Sequence, residues 1–317
     1  MVHFSNKNIP QISTQLTFSD VVNSWKARWG INRMSYILTP GLYAVGNPDS
    51  NSPVLVTANY KLTVDTLRKE LQDLNAWILV LDTKGINVWC AAAKGTFATN
   101  ELVNRIAEVK LAEVVSHKSI IVPQLGAVGI SAHEVLKDSG FKVTYGPVRA
   151  KDIKEFINAG MKATKEMRTV QFNMIDRLVL TPLELTAAIK PSIIVLLLLF
   201  LLNFIGIKHF GIKDLYAYLG ALIAGCVLTP VLLPWIPGRA FAFKGWLLGL
   251  IMASLFLPGE NLLHDLGYLL VFPAMSAFYA MNFTGASTYT SFSGVIKEMQ
   301  YAVPSIILSI CVGVIIL

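Results

Sequence analysis

The run Gly85-Ile86-Asn87-Val88-Trp89-Cys90-Ala91-Ala92-Ala93-Lys94-Gly95-Thr96-Phe97 sets a thiol between a strand-like stretch and a helix-like one. Cys90 is the only cysteine in the water-soluble half of the chain. A thiolate is a nucleophile and a strong soft ligand for a metal. At the start of a helix an anionic sulfur meets the positive end of the helix dipole, with Lys94 one turn on. The bland alternative is a small buried hydrophobe, the usual role of a lone cysteine. Trp89 beside it fits an enclosed site on either reading.

Each chemistry makes a demand on the rest of the chain. Nucleophilic catalysis needs a base, and the soluble half offers only His3, His117 and His133, none with a recognisable partner pattern. A zinc site needs about four ligands, and an iron–sulfur cluster several cysteines; no second cysteine is near. The chain has no Cys-x-x-Cys-His for covalent haem and no Asp-x-His-x-x-Gly for cobalt ligation through histidine. The metal chemistry that remains is a single axial thiolate to a metal whose other ligands come from a macrocycle.

The elements that must position Cys90 follow from hydrophobic periodicity. Val54 to Ala58 reads as a strand, followed by Val64, Leu67, Leu71 and Leu74 at helical spacing. Ala76 to Leu81 reads as a buried strand, and Ile86 to Trp89 as another after the turn Thr83-Lys84-Gly85. Leu102, Val103, Ile106 and Val109 mark a helix introduced by Thr99, and Ile120 to Val122 a strand. Ser131 and Glu134 form a capping box for a helix that stops at Gly140. Lys142 to Tyr145 is a strand, and Asp152 to about Thr169 a last helix. Strands alternating with helices predict a parallel sheet with helices on both faces, over residues 1–170.

Such sheets bind ligands beyond the carboxyl ends of their strands. Three loops point that way: Thr57-Ala58-Asn59-Tyr60, Asn87 to Gly95, and Gln124-Leu125-Gly126-Ala127-Val128-Gly129-Ile130-Ser131. Gly126 and Gly129 permit close backbone approach, although most glycine-bearing loops are only turns. Gly146-Pro147, after Tyr145, adds a fourth loop.

The chain of 317 residues allows two domains, and its composition divides it. Mean hydropathy is +0.54, yet residues 1–190 hold 22 of the 27 Lys and Arg and 16 of the 20 Asp and Glu. Residues 171–190 read as a linker, and 191–317 as a membrane domain with spans at about 191–207, 215–236, 241–258, 262–283 and 301–317. Each is near the length that crosses a hydrocarbon core of about 30 Å. With the amino-terminal domain in the cytoplasm, Arg177, Lys190, Arg239, Lys244 and Lys297 lie inside and only Lys208 and Lys213 outside. The expected location is therefore the cytoplasmic (inner) membrane, multi-pass. Met1 to Lys7 has no apolar core, so no secretory signal is expected there.

Lys244, near a span end, is expected to snorkel, and His264 and Asp265 to sit at an interface. The hydroxyl-rich loop 282–291 reads as a solvated connector or as a surface that docks the soluble domain. No span carries the paired charges of a pump or coupled transporter, so the membrane half reads as an anchor. Cys90, Cys226 and Cys311 lie far apart, two of them in apolar spans, which argues against a disulfide framework and fits a reducing compartment. No Lys/Arg stripe interleaves with aromatics, which argues against nucleic acid as a partner.

The segment Asn87 to Lys94 closely resembles the signature of the mercury-methylating corrinoid proteins, the HgcA family. The resemblance extends over Pro40-Gly41-Leu42-Tyr43, Val56 to Tyr60, Leu81 to Gly85, Ala132 to Val135, Gly140 to Val143 and Tyr145 to Ala150. Much of the soluble part is also similar to the large subunit of the corrinoid iron–sulfur protein of acetyl-CoA synthesis, which has neither the membrane half nor this cysteine. The chain departs from the family pattern at Ala93, where Gly is usual, and at Val128, where Pro is frequent. Alanine is acceptable at 93 in helical geometry and costs energy if φ must be positive.

The resemblance implies an α/β Rossmann-like corrinoid-binding domain followed by an all-α membrane domain of five transmembrane helices. It implies cobalamin or a related corrinoid, with Cys90 as the catalytic residue and the lower axial ligand to cobalt. Loop position and resemblance together assign the corrin contacts to Thr57, Asn59, Asn87, Val88, Trp89, Cys90, Ala91, Ala92, Ala93, Lys94, Gly95, Gly126, Ala127, Gly129, Tyr145, Gly146 and Pro147. The implied activity is a corrinoid-dependent methyltransferase that forms methylmercury from Hg(II), with a methyltetrahydrofolate-derived methyl donor. The implied partners are a ferredoxin-like protein with two four-iron four-sulfur clusters (HgcB-like) and membrane lipid. Cys226 and Cys311 read as apolar residues more than as a mercury relay. Two alternatives stand beside this reading: a membrane-anchored methyl carrier of one-carbon metabolism, and a transporter or receptor with a cytosolic ligand-binding domain.

Overall fold

The computed structural model describes residues 9–206, 210–257, 259 and 261–317. His3 and Lys208, and the ends of the expected spans at 207 and 258, lie outside the described residues. The chain divides into two compact units, one formed by residues 1–27 and 31–170, the other by 28–30 and 171–317.

The first unit is built on a five-stranded sheet: β1 (Gly41–Val45), β2 (Val54–Ala58), β3 (Ala76–Leu81), β4 (Ser119–Val122) and β5 (Lys142–Tyr145). The order is β1-β3-β2-β4-β5, with β1 antiparallel to β3 and the other neighbours parallel. The sheet is thus mixed, with one antiparallel edge strand that the alternation of strands and helices does not announce. β2 and β3 are buried along their whole length, as central strands covered on both faces must be.

Helices α1 (Phe18–Arg28), α2 (Lys61–Lys69), α3 (Val88–Lys94), α4 (Thr99–Glu108), α5 (Leu111–Val114), α6 (Ala132–Ser139) and α7 (Ile153–Asn158) surround the sheet. One face packs Val54, Val56, Leu79 and Leu81 against Ala91, Leu102, Ile106 and Val135. The other packs Leu55, Ile78 and Val80 with Leu71, Ile153 and Phe156. The period-two alternation along β2 and β3 sends successive side chains to opposite layers. α1 is tied down by charge. Asp20 accepts from Lys61 Nζ at 2.6 Å and from Arg68 Nη2 at 2.7 Å, and Asp65 accepts from both cations as well.

Two expected elements differ. Ile86 to Trp89 is not a strand: Val88 and Trp89 begin α3. The helix expected from Asp152 to Thr169 is broken into α7 and single turns at Ala150–Asp152 and Glu166–Arg168, with Gly160 and Met161 at positive φ between them. Ser131 caps α6 by accepting from Glu134 N at 3.4 Å, and Gly140 ends it in the left-handed conformation.

The second unit is helical: α8 (Met174–Leu178), α9 (Thr181–Phe204), α10 (Ile212–Ile223), α11 (Thr229–Leu232), α12 (Phe241–Leu255), α13 (Leu262–Asn282) and α14 (Phe292–Ile316). Residues 171–190 are therefore largely helical rather than an extended linker. α10 runs into α11 through a π-helical turn at Ala224–Leu228, just before Pro230. Proline has no N–H for the carbonyl one turn back, and the chain widens there. Among the described residues four stretches are long and apolar enough to cross a membrane: 174–204, 212–232, 262–286 and 292–316. The fifth expected span is α12, whose 15 residues reach only about 22 Å at 1.5 Å per residue.

α13 is the central helix, and α12 lies close against it. A Cβ on Gly245 would stand 2.3 Å from Ala280 Cβ, and one on Gly249 2.6 Å from Ser276 Cβ. Small residues at this spacing let helix backbones approach closely. Lys244 does not snorkel. It is buried, and its Nζ donates to the carbonyls of Leu233 at 2.6 Å and Ile236 at 2.7 Å. Arg177 is also buried and donates to the carbonyls of Val231 and Phe172. Two cations thus satisfy carbonyls in and just beyond α11.

Candidate functional site

The segment that carries Cys90 is set from its first residue. Asn87 is the N-cap of α3, and its Oδ1 accepts from Cys90 N at 2.9 Å. Cys90 is thus the third residue of the helix, and it is exposed. Its flank Val88 and the next turn, Ala91 and Ala92, are buried in the sheet's core. Ala93 lies inside α3 at ordinary helical φ, so its Cβ imposes no backbone strain. The positive φ belongs to Gly95, at +76°, which ends the helix. Lys94 sits in the last turn, exposed.

The turn before α3 is equally determined. Asn59, just after β2, is 2 % exposed. Its Oδ1 accepts from Thr83 N at 3.1 Å, Thr83 Oγ1 at 2.8 Å and Gly85 N at 3.0 Å. Its Nδ2 donates to Asp82 Oδ1 at 3.3 Å. All of this is internal to the unit, so the structure gives Asn59 the role of fixing residues 82–85. The hydrogen bond and charge of Lys84 hold the Asp82 carboxyl below the usual carboxylate range. Asp82 N donates to Glu101 Oε1 at 2.8 Å, which ties the same turn to α4.

The loop after β4 packs onto α3. A Cβ on Gly126 would meet the Phe97 ring at 2.4 Å, and one on Gly129 would meet the Phe97 carbonyl at 2.1 Å and Ala92 Cα at 3.1 Å. Thr99 N donates to Gly129 O at 3.1 Å, and Ser131 N to Thr99 Oγ1 at 2.9 Å. The two glycines therefore serve contact with α3 and the α3–α4 connection. Phe97, fully buried, is the side chain they accommodate. Its role is missed by pattern reading; the spacing of two glycines in the 124–131 loop is the signal that a bulky partner lies against it.

The loops beyond β2, β3 and β4 thus converge at the carboxyl edge, where the strand order reverses on either side of β2. Thr57 and Asn59 lie beneath the surface there, each 2 % exposed. Tyr145 O–H donates to Ile130 O at 2.6 Å, and Gly146 N to Val122 O at 2.8 Å, which ties the β5 loop to the same edge. Gly146 and Pro147 are buried, and Ala127 is half-buried. What this edge presents outward is the Cys90 side chain, Trp89 at 39 % exposure and Val128 at 86 %. An exposed thiol on a capped helix, with exposed apolar side chains at the same sheet edge, can offer one soft donor atom to a broad apolar ligand.

Residues 33–157, which include all five strands and Cys90, match the CdhD family model, described as CO dehydrogenase/acetyl-CoA synthase delta subunit. The chain is 34 % identical over 120 residues to the acetyl-CoA decarbonylase/synthase complex subunit gamma of Methanopyrus kandleri, covering 37 % of this chain and 26 % of that one. The same-named subunit of Methanocaldococcus jannaschii is 39 % identical over 97 residues, covering 30 % and 20 %. That of Methanothermobacter thermautotrophicus is 34 % identical over 128 residues, covering 40 % and 28 %. The chain thus spans about a quarter of the length of these curated relatives. The α/β unit is similar to a segment of subunits of this acetyl-CoA synthase class, and the four apolar helices lie outside the family match.

Proposed function

We propose that this chain is a membrane-anchored corrinoid protein that transfers a methyl group to Hg(II), and that the Cys90 thiolate would hold the cobalt of the corrinoid. The observation that carries the reading is the exposed thiol of Cys90, in the capped first turn of α3 at the carboxyl edge of the sheet. The donor set fits the group: one soft anionic atom for cobalt and apolar side chains for the corrin face. The likeness to acetyl-CoA decarbonylase/synthase subunits supports a methyl-transfer role, and the Asn87 to Lys94 motif supports mercury as acceptor.

When bound, the corrinoid supplies a cobalt-carried methyl group that a soft electrophile such as Hg(II) accepts together with its bonding electron pair. The chain's own residues supply position and electron density. Asn87 holds the first turn of α3, so that the sulfur projects from a fixed backbone. Asn59 and Glu101 hold the turn before it. Trp89 and Val128 offer exposed apolar surface at the same edge of the sheet. A ferredoxin-like electron donor and a methyltetrahydrofolate-derived methyl donor complete the proposed cycle, and the apolar helices keep the assembly at the cytoplasmic membrane.

A second reading, a methyl carrier of one-carbon metabolism, is favoured by the names of the relatives. One experiment separates the readings. The protein is purified in detergent, its cobalt content and visible spectrum are recorded for wild type and Cys90→Ala, and each is incubated with a methyl donor, a reductant and inorganic mercury. Methylmercury from wild type and none from Cys90→Ala supports the proposal. A cobalt-loaded protein that yields no methylmercury supports the carrier. A colourless protein indifferent to Cys90→Ala supports a receptor or transporter.

A further inference from the structure

The helical unit contains a groove of about 980 Å³ along α12, α13 and α14. Its walls are apolar and aromatic over most of their length. Phe243 and Trp246 stack on one another at 6.2 Å and are both partly exposed, and Ile306 closes the opposite side. One end is different. Arg239, just before α12, and Lys297, in α14, line the mouth, and both are exposed. Among the described residues neither has an ion-pair or hydrogen-bond partner.

The acidic group at the mouth is already engaged. Glu298 Oε1 accepts from Ala242 N at 2.6 Å and so occupies the start of α12. The amino terminus of the 25-residue α14, capped by Ser291, opens on the same mouth. Two unpartnered cations and a helix start against one engaged carboxylate leave the mouth net positive, beside a largely apolar wall. That combination matches an anionic amphiphile, with its charge at the rim and its hydrocarbon below.

We propose that this groove holds one anionic phospholipid, its phosphate between Arg239 and Lys297 and an acyl chain along Phe243, Trp246 and Ile306. The proposal rests on the reading of this unit as a membrane domain and is independent of the chemistry at Cys90. A phospholipid resident here would fill the space beside the short α12 and cover its exposed aromatic face.

The test uses the full chain. A requirement for detergent to keep it in solution checks the membrane reading first. The protein is then reconstituted in nanodiscs of equal phosphatidylglycerol and phosphatidylcholine, extracted gently, and weighed by native mass spectrometry. Wild type is expected to retain one phosphatidylglycerol at least tenfold over phosphatidylcholine. Arg239→Gln with Lys297→Gln is expected to lose that preference, and Lys190→Gln, on the exposed side of α9, to keep it. Ser305→Leu, which narrows the groove while keeping both cations, is expected to lower retention of either lipid. Equal retention of both lipids by wild type, an unchanged preference in the double variant, or full displacement of lipid by inorganic phosphate alone would overturn the proposal.

Discussion

The carboxamide oxygen of Asn87 accepts the backbone N–H of Cys90 at 2.9 Å, so the residue that starts α3 also fixes the residue whose sulfur faces outward. A cap of this kind satisfies one of the free N–H groups in the first turn. Here it also decides where the candidate ligand atom stands.

Asn87→Ala removes that acceptor. The expected loss is about 1 kcal/mol of stability, the usual worth of an N-cap. Asn87→Asp or Asn87→Ser restores most of it. Urea unfolding of the α/β unit measures the stability. The visible spectrum of the cobalt-loaded protein should broaden in the alanine variant as the sulfur loses its fixed position.

Cys90→Ala should leave the fold intact. The side chain is exposed, and a surface change of this sort stays within about 0.5 kcal/mol. Loss of the cobalt spectrum with unchanged unfolding midpoint is the expected pair of results. A large drop in midpoint would assign the cysteine a packing role.

Gly129→Ala places a Cβ 2.1 Å from the Phe97 carbonyl, a backbone atom that cannot swing away. Overpacking of this sort costs about 1–3 kcal/mol. Gly95→Ala meets no atom within 4 Å but must hold φ at +76°, at a cost of roughly 1–2 kcal/mol. Both variants destabilise. Phe97→Leu in the Gly129→Ala background should not rescue, because the clash is with the carbonyl. The same change beside Gly126→Ala should, because there the clash is with the ring.

Asp20 gives the anchoring of α1 an acid limit. Burial pushes its carboxyl up, but hydrogen bonds from Lys61, Thr17 and Arg68 outweigh that and hold it well below its ordinary value of 3.8. A depressed folded-state value means that the stabilisation is complete above the ordinary value and is lost as pH falls through the folded one. Hydrogen exchange of residues 18–28 should therefore be independent of pH from 7 to about 5, once the intrinsic rate is divided out, and rise below pH 4. Asp20→Asn should raise exchange at neutral pH and flatten the dependence.

Lys244→Met keeps the apolar length of the side chain and removes the donor. The carbonyls of Leu233 and Ile236 then lose their shared partner, at about 1–3 kcal/mol for each group left unsatisfied. A lowered melting temperature in detergent is expected. A snorkelling lysine would show almost no change.

How much was legible in the sequence differs from element to element. Val54 to Ala58, Ala76 to Leu81 and Ile120 to Val122 are short apolar runs that form β2, β3 and most of β4, and the alternating Lys142 to Tyr145 forms the half-exposed β5. Val88-Trp89-Cys90 looks like a strand because β-branched and aromatic residues favour one. It is the first turn of a helix because Asn87 caps it and Ala91 to Ala93 continue it. Lys244 reads as a span-end lysine, since sequence distance from a loop says nothing of the carbonyls that α11 brings to it. Five apolar stretches are expected from the sequence, and among the described residues four helices are long enough to cross a membrane, because apolar composition does not reveal where α12 stops.

The sequence by itself determined the division into a charged α/β half and an apolar helical half, and the lone thiol at a strand-to-helix loop. Those follow from composition and periodicity, which are local. Tertiary structure alone decided that Cys90 faces outward while Thr57, at the end of β2, and Asn59, just after it, are buried. It also decided that Gly126 and Gly129 make room for Phe97 and Ala92. These outcomes depend on which loops the sheet order brings to one edge, and contacts between residues about 30 to 40 positions apart leave no periodic trace in the chain.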